Sequence, residues 1–262
     1  MISGPRHFAA LAARLHWDPG AIDLSADIES WDGLEPELRR RLTILLAGFC
    51  VAEHHVADEL GPFEPAAPEP AMAAVFAAQR ADERRHARLF DRIAACFLAA
   101  PGPDAHSRRQ FVRGLAPAPV LDLFEQRLVR TAGALAADPS RLVEGVSLYH
   151  LILEGVVLTA GQQALLAELA NGMLPHLRHG IALVERDERW HVGFGLRCLL
   201  DLGPEPETVA GLLRDGEVAL DAWGGAVPAE IRSRVLAQHR RRLAAFGLLP
   251  AGDAHVAVGP AG

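Results

Sequence analysis

Aromatic residues make up only 6% of the 262 residues, and Tyr149 is the sole tyrosine. Strands draw on β-branched and aromatic side chains, and here neither an alternating pattern nor a β-branched run persists, which excludes a β protein. Cysteine is scarce as well. Cys50, Cys96 and Cys198 are an odd number with no Cys-x-x-Cys spacing. They exclude a disulfide framework and a thiolate metal site, and they fit a reducing compartment. Basic residues form no stripe beside aromatics and the net charge is −7, so nucleic acid is not an expected partner. The opening MISGPRHFAALAARLHW has no apolar core of signal-peptide length. The strongest apolar stretch, 148–160, is short for a bilayer and holds His150 and Glu154. It reads as a helix buried among others rather than a membrane span, and a cytoplasmic location is expected.

What is abundant is Ala, Leu, Arg and Glu, the good helix formers. The expected fold class is all-α, a helical bundle. Half of the residues are hydrophobic, ample for a single core. Proline near a helix start and Gly-Pro or Asn-Gly past its end are the punctuation. They predict a short helix before Trp17, then an irregular stretch (WDPGAIDLSADIESWDGL). Long helices follow near 36–60, 71–99, 139–171 and 174–202, with shorter pieces over 104–137 broken near Pro117 and Pro119. Two more lie near 205–221 and 228–246. One domain spans 1–247, and 248–262 reads as a flexible tail. No internal repeat is visible.

Two Glu-x-x-His motifs carry the chemistry: Glu83 to His86 and Glu188 to His191. At i, i+3 both side chains leave one face of a helix, about one turn apart. One such motif arises by chance; two inside long helices say more. Each follows an isolated Glu on the preceding long helix, since Glu53 lies 83 − 53 = 30 residues before Glu83 and Glu154 lies 188 − 154 = 34 before Glu188. A Glu and then Glu-x-x-His, twice over four helices, is the ligand set of a two-metal carboxylate bundle. Four carboxylates in a dry core are prohibitive alone, and two divalent cations offset them. Oxygen ligands with two imidazoles suit iron and manganese. Against this, any one Glu is ordinarily a solvated helix-face charge and a single His a surface histidine. Glu53 in AEHHVADEL and Glu83 in RADERRHAR sit in polar company. Glu154 in LYHLILEGVVL is apolar on every side and demands a partner.

The segment from about Leu15 to Leu200 resembles the ribonucleotide reductase small-subunit superfamily, which is ferritin-like. Trp17-Asp18-Pro19 leading into Ile22-Asp23 is similar to the family's entry to its first ligand helix, with Trp17 beside the metals. The likeness implies Glu53, Glu83 and His86 at one metal, and Glu154, Glu188 and His191 at the other. Glu83 and Glu188 become the bridges, and Asp187 the carboxylate that orients the His of the other motif. Phe90 stands where a reductase carries its radical tyrosine, and 248–262 has no tyrosine. The resemblance is greater to the ligand-binding oxidase branch, which has Phe at that position, with Val and Tyr where this sequence has Val56 and Tyr149. It implies an oxygen-activating oxidase or oxygenase with a Mn/Fe or Fe/Fe pair. It also implies a small or long-chain apolar, fatty-acid-like ligand, a homodimer, and an ether link between Tyr149 and Val56. The rivals are a secondary-metabolism N-oxygenase, for which His150 would be an extra ligand although Val184 stands where its third His is expected, and a ferritin-like iron store.

Overall fold

The computed structural model describes residues 3–249, and no strand occurs among them. Nine principal helices follow one another: α1 Pro5–Arg14, α2 Pro36–Glu59, α3 Pro70–Phe97, α4 Ala105–Arg113, α5 118–137, α6 Pro139–Glu168, α7 Pro175–Leu202, α8 Pro206–Ala219 and α9 Ala229–Ala245. Short turns of helix at Pro19–Ala21, Leu24–Asp27, Ile28–Asp32 and Phe63–Ala66 fill the connections. The break over 104–137 falls only at Pro117. Pro119 lies in the first turn of α5, where its missing N–H costs nothing. Of the stretch 248–262, Leu248 and Leu249 are buried rather than loose, and the remainder lies outside the described residues.

The four long helices form because a proline opens the first turn of each and each carries an apolar face. Glu35 turns its carboxylate back to accept from the backbone N–H of Glu37 and of Leu38, both at 3.0 Å, and Pro36 opens α2. Leu42, Leu45, Leu46, Phe49, Glu53 and Val56 share its buried face. In α3 the stripe runs Met72, Val75, Phe76, Gln79, Glu83, His86, Phe90 and Ile93. The helical period thus carries polar residues straight through the core. α7 begins after Leu174, whose φ of 49° no β-branched residue would tolerate. Its orphan N–H groups at His176 and Leu177 are capped from afar by the buried Asp27, at 2.9 and 2.8 Å.

α6 differs from the others. It is one helix of 30 residues, long and apolar enough to cross a membrane, but 83% of its most apolar window is buried inside the protein. From Ser147 to Leu158 it is wound as a π-helix with every residue buried. In that winding hydrogen bonds run i→i+5, so residues five apart lie one above the other. The sequence reading, with α geometry in mind, puts Tyr149 on a face rotated from Glu154; the wider turn brings them to the same side.

Candidate metal centre

Glu53 on α2, Glu83 and His86 on α3, Glu154 on α6, and Glu188 and His191 on α7 are all buried. The reading of Glu53 and Glu83 as exposed helix faces therefore fails. Their polar neighbours in sequence point elsewhere on the same helices. Two sets of ligand-type atoms converge: Glu53, Glu83, His86 and Glu188 in one, and Glu83, Glu154, Glu188 and His191 in the other, each within 4.8 Å. Glu83 and Glu188 belong to both, which is the placement a bridging carboxylate needs.

The histidines enter through the same atom. His86 Nδ1 lies 3.2 Å from Glu83, 3.5 Å from Glu53 and 3.5 Å from Glu188. His191 Nδ1 lies 2.9 Å from Glu83, 3.0 Å from Glu154 and 3.6 Å from Glu188. Each imidazole turns its other nitrogen outward to an aspartate. Nε2 of His86 is 3.3 Å from Asp187, and Nε2 of His191 is 3.7 Å from Asp82. Both motifs are thus Asp-Glu-x-x-His, 82–86 and 187–191, and each aspartate backs the histidine of the opposite motif. Asp82 escaped the sequence reading, although the repeated Asp before each Glu was the available signal.

Outside the histidines the support is dense. Asp187 accepts from Trp17 Nε1 at 2.7 Å, from Arg85 at 3.1 Å and from Arg186 at 3.0 Å. Arg85, itself buried, also reaches Asp82 at 2.7 Å, so one guanidinium ties both aspartates together. Trp17 stacks over His86, centroids 6.2 Å apart, and Arg85 sits 5.3 Å above its ring. On the other side Tyr149 donates its hydroxyl to Glu83 at 2.7 Å. Gln79 donates at 3.2 Å to both Tyr149 and Glu154, and its carbonyl oxygen faces His150 at 3.1 Å. His150 therefore stands behind Gln79, outside both ligand sets, among Phe63, Phe76 and Phe194. Gly195 makes its place: a Cβ there would come within 2.2 Å of the His150 Cβ. Val56 is buried on the same helix as Glu53. Phe90 packs flat on Phe49 at 5.4 Å.

The electrostatics call for cations. Both oxygens of Glu53, both of Glu188 and one of Glu154 are buried with no hydrogen bond. Native interiors rarely leave such groups unpartnered. Burial, reinforced by Glu188 and Glu83, pushes the Glu53 carboxyl up to about 8, despite His86 beside it. Burial and Glu188 likewise raise Glu154 well above its ordinary value. Glu83 goes the other way: burial would raise it, but the imidazoles of His191 and His86 outweigh that and hold it far below. These shifts describe carboxylates that share two imidazolium charges and lack the rest of their compensation. Hard oxygen donors, two imidazoles and unpartnered buried oxygens fit two divalent ions, and the cluster is able to hold both.

A family model for the ribonucleotide reductase small chain matches residues 6–213. The chain belongs to that family. Among curated relatives, the ribonucleoside-diphosphate reductase small chain of Nicotiana tabacum is 24% identical over 202 residues, covering 76% of this chain and 59% of the relative. That of Trypanosoma brucei brucei is 22% identical over 185 residues, covering 70% and 52%. The chain thus spans little more than half the length of these relatives. Similar solved structures include a variant of an R2-like ligand-binding oxidase with an anaerobically reconstituted Mn/Fe cofactor. It has a TM-score of 0.80 and 19% identity, and covers 95% of this chain and 94% of that one. Another variant, with an Fe/Fe cofactor, gives 0.72 at 20% identity, covering 94% and 86%. These structures share the ferritin-like fold of this family member.

Proposed function

We propose that this family member is an oxygen-activating two-metal oxidase rather than a nucleotide reductase subunit. Glu53, Glu83, His86, Glu154, Glu188 and His191 serve as ligands of a Mn/Fe or Fe/Fe pair. The observation that carries this reading is the pair of overlapping ligand sets, buried, sharing Glu83 and Glu188, with five carboxylate oxygens left without hydrogen bonds. When bound, the metals supply the redox chemistry with O2. The chain does the rest. Asp187 accepts from the outward Nε2 of His86 and so turns the Nδ1 lone pair inward, and Asp82, 3.7 Å from Nε2 of His191, favours the same tautomer there by its charge. The apolar wall of Phe49, Phe90 and α6 excludes bulk water. Tyr149 holds a proton against Glu83 at 2.7 Å.

Phe90 favours oxidase over reductase, because no phenol stands at that place to store a radical. Tyr149, the one tyrosine, lies instead within hydrogen-bond reach of a proposed bridging ligand. By the resemblance, Tyr149 and Val56 are joined when the loaded protein meets oxygen. The Tyr149 O–H and one Val56 C–H are lost, a C–O bond forms, and O2 takes up the two electrons and two protons. A homodimer and a fatty-acid-like ligand rest on the same likeness, and sedimentation and mass spectrometry of co-purifying ligands address them. The deciding experiment is metal analysis of protein loaded with Mn and Fe. Two ions per chain with oxygen uptake on reduction supports the reading; hundreds per assembly would make it a store, and none would end it.

A further inference from the structure

A second feature of the core lies against Glu188. A cavity of about 70 Å³ opens between α6, α7 and α9, with Gly155 and Gln162, then Glu188, then His239 and Arg242 on its wall. Gln162 and His239 are 1% and 2% exposed, yet neither amide atom of Gln162 and neither ring nitrogen of His239 has a hydrogen-bond partner among the described residues. Two buried polar side chains on one cavity, both unsatisfied, call for an occupant that supplies donors and acceptors. Their seating is tight. A Cβ on Gly155 would come within 2.6 Å of the His239 ring, so only glycine lets His239 press against the residue that follows Glu154.

The charge on the wall is specific. His239 and Arg242 are three apart on α9 and share a face. Arg242 is half-buried and has no carboxylate or hydrogen-bond partner among the described residues, and burial lowers its pKa. Glu185, the other carboxylate on this wall, is taken by Arg189 at 3.2 Å. Burial and nearby Arg242 depress His239 to about 3, so the ring is neutral and offers one N–H and one lone pair. The wall therefore presents one uncommitted cation and two donor–acceptor groups beside a ligand carboxylate. The cavity has room for on the order of five water molecules, which is enough for a molecule of a few heavy atoms and far too little for a long acyl chain.

We propose that this cavity is a second ligand site beside the metal centre, separate from the place of a fatty-acid-like ligand, and takes a small hydroxy- or amino-carboxylic acid, its carboxylate on Arg242 and its polar substituent on Gln162 and His239. The inference rests on the two-metal reading for its role, but the cavity itself is testable without metal. Glycolate, lactate, serine and palmitate are titrated calorimetrically into metal-loaded and metal-free full chain, with metal content measured first. One of the small acids binds at one per chain and raises the melting temperature, while palmitate does not compete. Arg242→Gln and Gln162→Leu each weaken that binding by at least about tenfold, the scale of losing a desolvated ionic or polar contact, with metal content unchanged. Because Arg242 leaves no partner behind among the described residues, Arg242→Gln keeps its fold, and its melting temperature without ligand verifies this. Silence from all three small acids means ordered water alone and overturns the proposal. So does binding that ignores both substitutions, or palmitate displacing the small acid. Small-acid binding to a chain that never takes up metal would keep this site and sink the oxidase reading instead.

Discussion

Glu53 and Glu154 hold matching places, each the lone buried carboxylate of its helix, yet their surroundings differ sharply. Glu53 rides a regular α-helix and makes no hydrogen bond with either oxygen. Glu154 rides the π-wound stretch of α6, accepts from Gln79 and faces His191 at 3.0 Å. A regular helix delivers one ligand per turn and little else. The wider winding sets Tyr149 above Glu154 on one side, so a phenol and a carboxylate reach the centre from the same helix. The outer aspartates differ in the same spirit. Asp187 gathers Trp17, Arg85, Arg186 and His86, whereas Asp82 holds Arg85 and stands 3.7 Å from His191.

The largest effect comes from breaking what the two halves share. Glu83→Ala removes a member of both ligand sets, so both metals are lost in elemental analysis while circular dichroism stays helical. Glu53→Ala or Glu154→Ala costs one metal and leaves the other half populated. Full occupancy in Glu154→Ala would refute the assignment. Because Glu53 and Glu154 are buried and unbalanced without metal, their Ala variants melt higher than the parent in the metal-free form and lower when both are loaded, whereas Glu83→Ala, which strips the carboxylate from two imidazolium charges, melts lower in either form.

Asp187→Asn should destabilise the protein by about 3 kcal/mol, the scale of breaking a buried ionic cluster from one side. Chemical denaturation measures it. Asp82→Asn, with fewer partners, costs less. If the two cost the same, the asymmetry drawn between the aspartates is wrong. Metal affinity falls in both, by about 10- to 100-fold for loss of a carboxylate behind a ligand histidine.

A pH series separates the two lone carboxylates from Asp187. Glu53, raised to about 8 by burial, holds its proton in the metal-free fold while an unfolded chain releases it near 4.5. The metal-free fold therefore binds more protons than the unfolded chain between those values, and this group's contribution weakens as pH rises through that window. Glu154, raised by burial and Glu188, acts in the same direction. Metal must displace those protons, so metal affinity climbs over the same range. Asp187 is depressed: burial opposes this, but His86 and Trp17 prevail. Its contribution is present above the unfolded value of 3.8 and fades as pH falls below it. Melting curves of metal-free protein that are flat between pH 5 and 8 would contradict the Glu53 and Glu154 shifts.

Tyr149→Phe is the mildest in stability, about 1 kcal/mol for one hydrogen bond. It is the sharpest in chemistry. Aerobically loaded parent protein loses two hydrogens in mass and yields a joined peptide containing Val56 and Tyr149; the variant shows neither. An unmodified parent mass removes the ether link and leaves the ligand set untouched.

Much of this was legible in advance. The helix boundaries at Pro36, Pro70, Pro175 and Gly203 follow from local chemistry, since proline fits a first turn and glycine a left-handed end. Four of the six proposed ligands stood out because i, i+3 spacing is a property of any helix, independent of its neighbours, and Glu53 and Glu154 stood out by their matching places on the preceding long helices. Gln79 and Arg85 did not stand out, because a buried Gln or Arg is indistinguishable in sequence from a surface one, whereas Asp82 was marked only by the repeated Asp before each Glu. Position five before Glu154 misled for a geometric reason: nothing in SLYHLILEGVVL announces i→i+5 bonding.

By itself the sequence determined the all-helical class, the four long helices and the order of carboxylates and imidazoles along them. Composition, helix period and end-capping act over a few residues and are written in them. Only the tertiary structure decided that Glu83 and Glu188 face both halves, that each aspartate backs the other motif's histidine, and that Arg85 joins the two. It alone turned Tyr149 toward Glu83 and gathered Gln162, His239 and Arg242 around one cavity. Those relations depend on how helices 30 or more residues apart in sequence are packed, and on a winding that neighbouring helices, rather than local propensity, hold in place.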